Sequence, residues 1–152
     1  MKSSIVAVLV ALLLTPLAPV ASASLPGMDA LSEMIVKEFD INADGSIDRE
    51  EWESGVAKEF AEIDTNGDGQ ITEAEIDELA GPIGEEIGET AAKVVVALIK
   101  PLLMMLDKNG DHVISKAEYL DGCNAIFKKL DVNHDGRISR AELDDLPIRI
   151  LQ

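Results

Sequence analysis

Four segments of this chain repeat one pattern of oxygen-bearing side chains, and this repeat constrains the fold more than any other feature. We number the segments loop 1 (40–51), loop 2 (64–75), loop 3 (107–118) and loop 4 (131–142). Each loop has Asp at its first position, Asn at the third, Asp at the fifth, Ile at the eighth and Glu at the twelfth. One such match could arise by chance, whereas four in 152 residues indicate a repeated structural unit.

The spacing of these side chains predicts a Ca2+ site in each loop. Ca2+ takes about six to eight oxygen ligands, and a loop of this length supplies them from positions one, three, five, seven, nine and twelve. The seventh position contributes its backbone carbonyl, so its side chain is unrestricted. The predicted metal ligands are Asp40, Asn42, Asp44, Ser46, Asp48 and Glu51; Asp64, Asn66, Asp68, Gln70, Thr72 and Glu75; Asp107, Asn109, Asp111, Val113, Ser115 and Glu118; and Asp131, Asn133, Asp135, Arg137, Ser139 and Glu142.

The sixth position distinguishes loop 3 from the other loops. The chain turns sharply there with a positive φ, which glycine adopts without steric cost. Gly45, Gly69 and Gly136 meet this requirement, whereas loop 3 has His112, whose side chain costs about 1–2 kcal/mol in that conformation. Ligand charge favours loop 1, which has four acidic side chains where the others have three. We therefore predict three strong Ca2+ sites and a weaker fourth site at 107–118.

These loops resemble those of EF-hand calcium-binding proteins over residues 28 to 146. The resemblance implies an all-α fold of helix–loop–helix units with Ca2+ in the loops. In some members of this family Ca2+ also opens an apolar groove, while others are buffers that barely open.

Residues 1–23 have the composition of a secretory signal peptide. Lys2 provides a positive start, residues 5–14 are apolar, and Ala21-Ser22-Ala23 is a small-residue cleavage site. We predict cleavage before Ser24 and export to a periplasmic or secreted location, with an uncleaved membrane anchor as the alternative. After cleavage we expect no membrane span, because the later apolar run, 94–106, is too short for one.

An internal duplication divides the remaining chain. A shift of 67 residues superposes loop 1 on loop 3 and loop 2 on loop 4, and it also maps Trp52 to Tyr119 and Phe60 to Phe127. We predict two halves, 24–80 and 81–152. The apolar residues beside the loops are expected to be buried on the flanking helices, and the Ile at position eight is expected to form a short β-bridge with a paired loop.

The loops within one half are unusually close together. Only 12 residues separate them, at 52–63 and 119–130, which leaves little room for two helices and a turn. We therefore expect one shared helix from about Arg49 to Ile63, roughly 20 Å long, whose two loops pair with the other half or with a second molecule. The alternative is a break at Gly55 and Gly122, because glycine costs only about 1 kcal/mol inside a helix and permits both structures.

The remaining segments have helical periodicity. Residues 28–39 predict a helix that enters loop 1, and a Gly81-Pro82 break is expected to end the helix that leaves loop 2. Residues 84–106 predict another helix, kinked or restarted at Pro101, whose apolar second half is expected to be a core helix or, alternatively, to line a groove with Met104 and Met105. The apolar tail 146–151 is expected to cap the core or to occupy a groove.

Charge and composition argue against several functions. The net charge of −16, or −17 without Lys2, disfavours binding to nucleic acid or to an anionic membrane. Both histidines lie inside loops, no H-E-x-x-H or G-x-S-x-G motif occurs, and the carboxylates are assigned as ligands, so we expect no enzyme. Cys123 and the histidines lack the ligand spacing of a zinc site. Cys123 is expected to be buried rather than to pair between chains, because its counterpart in the first half is Val56.

The sequence leaves the use of the calcium open between two main functions. The first is a buffer, or a binding module that calcium stabilises. The alternative is a sensor that exposes an apolar, Met-bearing groove to a protein partner when calcium binds. A purely structural use of the ion is a third possibility.

Overall fold

The computed structural model describes residues 28–144, so the predicted signal peptide and the tail 146–151 lie outside the described residues. It confirms the predicted all-α, helix–loop–helix class. The helices are α1 (Met28–Phe39), α2 (Arg49–Ile63), α3 (Glu73–Glu78), α4 (Ala80–Ile87), α5 (Glu89–Met104), α6 (Lys116–Leu130) and α7 (Arg140–Asp144). Four short strands lie within the loops: β1 (Ser46–Asp48), β2 (Gln70–Thr72), β3 (Val113–Ser115) and β4 (Arg137–Ser139).

The shared helix predicted within each half is confirmed. Helix α2 leaves loop 1 and runs without interruption to the start of loop 2, and α6 joins loops 3 and 4 in the same way. Gly55 and Gly122 do not break these helices. A methyl group at Gly55 would overlap the ring of Phe39, and one at Gly122 would overlap the side chain of Leu106. Both glycines therefore let the shared helix approach the last residue before a loop.

The loops pair across the two halves of the sequence. Strand β1 of loop 1 lies antiparallel to β4 of loop 4, and β2 of loop 2 lies antiparallel to β3 of loop 3. We call loops 1 and 4 the outer pair and loops 2 and 3 the inner pair. Because β1 and β3 precede the shared helices and β2 and β4 follow them, α2 and α6 pack antiparallel with one pair at each end.

One hydrophobic core joins the two loop pairs. The predicted β-bridge isoleucines lie opposite each other, Ile47 with Ile138 and Ile71 with Ile114, and all four are buried. The residues beside the loops are also buried, as expected, except for the half-buried Leu106. Aromatic rings fill the space between α2 and α6, with Trp52 packed 5.7 Å from Phe127 and Phe60 packed 5.4 Å from Tyr119, centroid to centroid.

The predicted break at Gly81-Pro82 is displaced in the structure. Helix α3 ends at Glu78, and Gly81 and Pro82 lie in the first turn of α4. A proline is tolerated there because the first N–H groups of a helix have no partner within it. The predicted helix 84–106 is divided at Gly88, which has a φ of 92° and separates α4 from α5. Pro101 lies inside α5 and does not restart the helix.

Helix α5 is only partly a core helix. Its inner face buries Ala92, Val96, Ile99 and Leu103 against the rest of the molecule. Its outer face leaves Val94 and Leu98 more than half exposed. The expectation of a core helix therefore holds for one face of α5 and is wrong for the other. Across residues 28–144, none of the helices combines the length and apolar character needed to cross a membrane.

Cys123 lies in α6 with its side chain in this core, as expected from its counterpart Val56. Burial and, as a smaller contribution, the neighbouring carboxyl of Glu59 together raise the pKa of its thiol to about 12. The thiol is therefore neutral near pH 7 and fills space as a small apolar group.

Candidate metal sites

The side chain at position one organises each loop. In loop 1 the carboxylate of Asp40 accepts hydrogen bonds from the backbone N–H of Asp44, at 3.0 Å, and from that of Gly45, at 2.8 Å. The bond from the sixth residue recurs in the other loops at 2.9, 2.9 and 3.0 Å. Loop 3 makes it through the N–H of His112, so this residue keeps the same backbone frame as the glycines.

The side chains at positions three and five are fixed in the same way. The amide oxygen at position three accepts a bond of 2.8 Å from the backbone N–H at position five in all four loops. The carboxylate at position five accepts a bond of 2.9 to 3.0 Å from the N–H at position seven. Short polar side chains commonly bond to the backbone two residues further on, which explains why Asn and Asp fold this turn.

The glutamate at position twelve joins the end of each loop to its beginning. One oxygen of Glu51 accepts bonds of 2.9 Å from the N–H groups of Ile41 and Asn42, and the other accepts a bond of 3.0 Å from that of Asp48. The bond from position three recurs at Glu75, Glu118 and Glu142 at 3.3, 3.2 and 3.2 Å. Each loop is therefore closed by a carboxylate that lies beside its first turn.

The side chain at position nine caps the helix that leaves each loop. Asp48, Thr72 and Ser115 are the N-cap residues of α2, α3 and α6, and each forms a capping box with the glutamate at position twelve. Ser139 exchanges the same two bonds with Glu142. The signal for this feature was present in the sequence, since Ser, Thr or Asp followed three residues later by Glu is the capping-box pattern.

These hydrogen bonds favour the ionised form of the loop carboxylates. In Glu75 and Glu142 burial raises the pKa, but bonds from Thr72 and Ser139 outweigh it and hold the pKa below its usual value. Bonds from Ser115 lower the pKa of Glu118, and bonds from Ser46 lower that of Asp44. The closing glutamates of loops 2, 3 and 4 are thus negatively charged at neutral pH, as a metal ligand requires.

The donor set of each loop fits Ca2+ by its chemistry. The side chains at positions one, three, five and twelve all carry an oxygen that can bind a cation. The residue at position seven, whose backbone carbonyl is a predicted ligand, is the first residue of a strand in every loop. Among the side chains that the structure describes, however, no three carboxylate, imidazole or thiol groups are already gathered closely enough to form a metal cluster. The carboxylates are held by backbone N–H groups instead, and the individual ligand assignments stay predictions.

A second position with positive φ went unnoticed in the sequence. Besides His112 at φ 67°, the described chain has two other non-glycine residues in this region, Ala43 at φ 58° and His134 at φ 60°. Both occupy position four, where loops 2 and 3 have Gly67 and Gly110. Loops 1, 3 and 4 therefore each contain one non-glycine residue with a strained, positive φ, and loop 2 contains none.

Sequence reasoning also missed a buried carboxyl group between the shared helices. Glu59 is 1% exposed, accepts a bond of 3.1 Å from the hydroxyl of Tyr119, and has its other oxygen unpartnered. Burial raises the pKa of Glu59 well above its usual value; the bond from Tyr119 lowers it, while Glu62 and Glu38 raise it further. The 67-residue shift gives no signal for this group, because the counterpart of Glu59 is Ile126.

Two family models match the part of the chain that contains the four loops. A family model described as an EF-hand domain pair matches residues 53–124, and one described as an EF hand matches residues 37–57 and 124–146. The domain-pair match runs from α2 through loops 2 and 3 into α6, which is the inner pair of the structure.

Two curated proteins are similar to the chain. One is calcium-binding protein LPS1-beta of Lytechinus pictus, 27% identical over 138 aligned residues that cover 76% of this chain and 54% of that protein. The other is polcalcin Cup a 4 of Hesperocyparis arizonica, 30% identical over 93 residues that cover 55% of this chain and 52% of that protein. The chain thus spans about half the length of the curated relatives it matches. With loops that are closed and paired as described above, the chain belongs to the EF-hand family of calcium-binding proteins.

Proposed function

We propose that this chain is an exported calcium-binding protein whose four loops take up Ca2+, either as a buffer or as a binding module that the ion stabilises. The observation that carries the proposal is that all four loops have the same hydrogen-bonded frame around their carboxylates, including the loop with His112. One relative is itself named a calcium-binding protein. The signal-peptide pattern of residues 1–23 supports export.

The charge of the chain gives calcium a large effect on its stability. The sequence has 29 acidic and 13 basic residues, and 13 of the acidic residues are predicted ligands. Without cations these carboxylates repel one another and destabilise the compact state. A ligand that binds only the folded chain stabilises it by about 2.7 kcal/mol when its concentration is about a hundred times its Kd.

A calorimetric calcium titration of residues 24–152 tests the number of sites. We expect three strong sites and one weaker site. The control is a variant with Gln in place of all four glutamates at position twelve, which removes the closing charges and is expected to abolish the strong sites. A wild-type titration without any specific uptake would contradict the proposal, and four equal sites would contradict the predicted weakness of loop 3.

Export has its own test. The full chain would be expressed in a bacterium and the product recovered from the cell exterior or periplasm, with its mass measured. A mature protein that begins at Ser24 is the expected result. A chain that keeps residues 1–23 would support the membrane-anchor alternative.

The sensor alternative is favoured by one observation, the apolar outer face of α5. Val94 and Leu98 are 57% and 53% exposed there, and Met105 directly after the helix is 75% exposed. Exposed apolar clusters are typical of surfaces that bind another molecule. Binding of an apolar dye, measured with and without Ca2+, separates the two functions. A large calcium-dependent rise supports the sensor, and equal binding in both conditions supports the buffer or the stabilised module.

A further inference from the structure

A positive side chain reaches from one loop of the outer pair to a predicted ligand of the other. Arg137 is the first residue of β4, and its register partner in β1 is Asp48. Its guanidinium Nη1 lies 3.2 Å from Oδ2 of Asp44 and 3.5 Å from the hydroxyl of Ser46. Arg137 therefore contributes to two loops. Its backbone carbonyl is a predicted ligand of loop 4, and its positively charged guanidinium group contacts Asp44, a predicted ligand of loop 1.

The inner pair has no corresponding charge. The 67-residue shift equates Arg137 with Gln70, and Gln70 is the register partner of Ser115 just as Arg137 is of Asp48. The outer pair thus has both an additional carboxylate, Asp48, and an additional cation, Arg137. Counting acidic ligands alone makes loop 1 the most negative of the four loops, but this count ignores the charge supplied by its partner loop.

We propose that Arg137 lowers the Ca2+ affinity of loop 1 and so offsets the additional carboxylate of that loop. This inference rests on the proposed binding of Ca2+ by the loops. Two effects act in the same direction. The guanidinium group repels a second cation that approaches Asp44, and it also holds an oxygen of a carboxylate that the ion would share.

The surroundings of the pair determine the size of the effect. The side chains of Arg137 and Asp44 are 53% and 38% exposed, so water and salt screen the interaction. We expect a change of about three- to tenfold in the Kd of loop 1 at low ionic strength, corresponding to about 0.7–1.4 kcal/mol. The change should shrink strongly near 1 M salt, where the screening length falls to about 3 Å.

The chain contains one fluorescent probe at each end of the bundle. Its single tryptophan, Trp52, directly follows Glu51 of loop 1 and packs against Phe127 on the helix that enters loop 4, so it reports on the outer pair. Its single tyrosine, Tyr119, directly follows Glu118 of loop 3 and packs against Phe60 on the helix that enters loop 2, so it reports on the inner pair.

The decisive experiment compares calcium titrations of wild type and Arg137→Gln, which gives loop 4 the residue that loop 2 has at position seven. Trp52 fluorescence follows the outer pair, and loop-resolved NMR assigns the change to loop 1 or to loop 4. The expected result is a lower Kd for loop 1, with a difference that disappears as salt is raised. Arg140→Gln is the matched control, because Arg140 lies on α7 and its ion pairs are with Glu33 and Asp144 rather than with a loop ligand. An unchanged or higher Kd in Arg137→Gln, or an equal decrease in Arg140→Gln, would overturn the inference.

The reverse exchange supplies a second test. Gln70→Arg places the cation in the inner pair, and we expect a higher Kd for loop 3 at low salt. Loop-resolved NMR measures this Kd, and Tyr119 fluorescence follows the inner pair in a common Trp52→Phe background. No increase would contradict an explanation based on charge. A wild-type chain whose fluorescence does not respond to calcium would instead contradict the proposed function, so the two failures are distinguishable.

Discussion

The outer and inner loop pairs have the same strand register and the same ligand pattern, yet their surroundings differ. The inner pair is connected through α3, α4 and α5, which pack on one another, whereas the outer pair is flanked by α1 and α7, which pack on each other. The inner pair has glycine at position four in both loops, and the outer pair has Ala43 and His134 there. Loops with almost the same local sequence are therefore supported by different structures, so equal motifs do not imply equal sites.

The cores behind the two pairs differ in one buried group. At the outer end Trp52 packs against Phe127, and at the inner end their counterparts Tyr119 and Phe60 make the equivalent contact. Beside Tyr119, however, the inner end has the carboxyl of Glu59, where the outer end has the apolar Ile126. The duplication has kept the aromatic contacts and placed an ionisable group on one side only.

The largest effect on stability is expected from Glu59→Gln, which replaces the buried ionisable carboxyl group of the inner end with a neutral amide. Below the usual carboxyl pKa, Glu59 is protonated in both the folded and unfolded chains. As pH rises towards its raised folded pKa, only the unfolded chain releases the proton, so the wild-type free energy of unfolding falls by up to about 1.4 kcal/mol per pH unit. The variant should lack this slope and be the more stable protein at neutral pH.

Urea unfolding at several pH values, with calcium saturating throughout, measures this difference. The loop carboxylates titrate in both proteins, and their lowered pKa values give the opposite slope at acid pH, so they cancel in the comparison. Glu53→Gln on the exposed face of α2 is the control and should leave the slope unchanged. A constant difference between wild type and Glu59→Gln across pH would show that Glu59 does not titrate as its burial implies.

A smaller effect is expected from alanine at the two glycines of the shared helices. Gly55→Ala places a methyl group against the ring of Phe39, which is buried and stacked 5.1 Å from Trp52. Overpacking of about 1–3 kcal/mol, less about 1 kcal/mol gained in helix propensity, leaves a net destabilisation of up to about 2 kcal/mol.

Gly122→Ala is the matched change at the inner end and should be nearly neutral. The methyl group there meets a terminal methyl of the half-buried Leu106 side chain, and we expect this flexible side chain to move aside more readily than a buried aromatic ring. Thermal unfolding of both variants makes the comparison. Equal losses of stability would show that the two contacts are equally rigid.

The smallest effect concerns backbone strain. His112→Gly and His134→Gly each remove a positive-φ strain of about 1–2 kcal/mol. Glycine offsets this gain by about 0.5–1 kcal/mol, because it increases the conformational entropy of the unfolded chain. We expect each to lower the Kd of its own loop by a few-fold at most. Loop-resolved NMR titrations measure the change. An equal decrease in both variants would contradict strain at His112 as the reason for a weaker loop 3, because loop 4 would then be strained to the same extent.

Periodic and spacing signals predicted the fold well. The interval between loops favoured the shared helices over a break at Gly55 and Gly122, and the apolar flanks and position-eight isoleucines predicted the buried residues. The helix boundaries near Gly81 and Gly88 were less predictable. Pro82 fits the first turn of a helix as readily as it ends one, and Gly88 interrupts a periodicity that continues on both sides.

The features of the site that were missed depend on contacts between distant parts of the chain. Arg137 and Asp44 are brought together by a strand pairing between opposite ends of the sequence. Glu59 looks like one more acidic residue on a helix until α6 covers it. By contrast, the capping boxes and the strain at position four are local, and a closer comparison of the four loops would have revealed both.

The shared helices have a mechanical consequence. Each is a rod of 15 residues, about 22 Å long, with a loop of the outer pair at one end and a loop of the inner pair at the other. A rigid rod that tilts at one end must move at the other, like a lever on a fixed pivot. An opening of one loop pair that tilts α2 or α6 therefore also displaces the loops at the other end of the bundle.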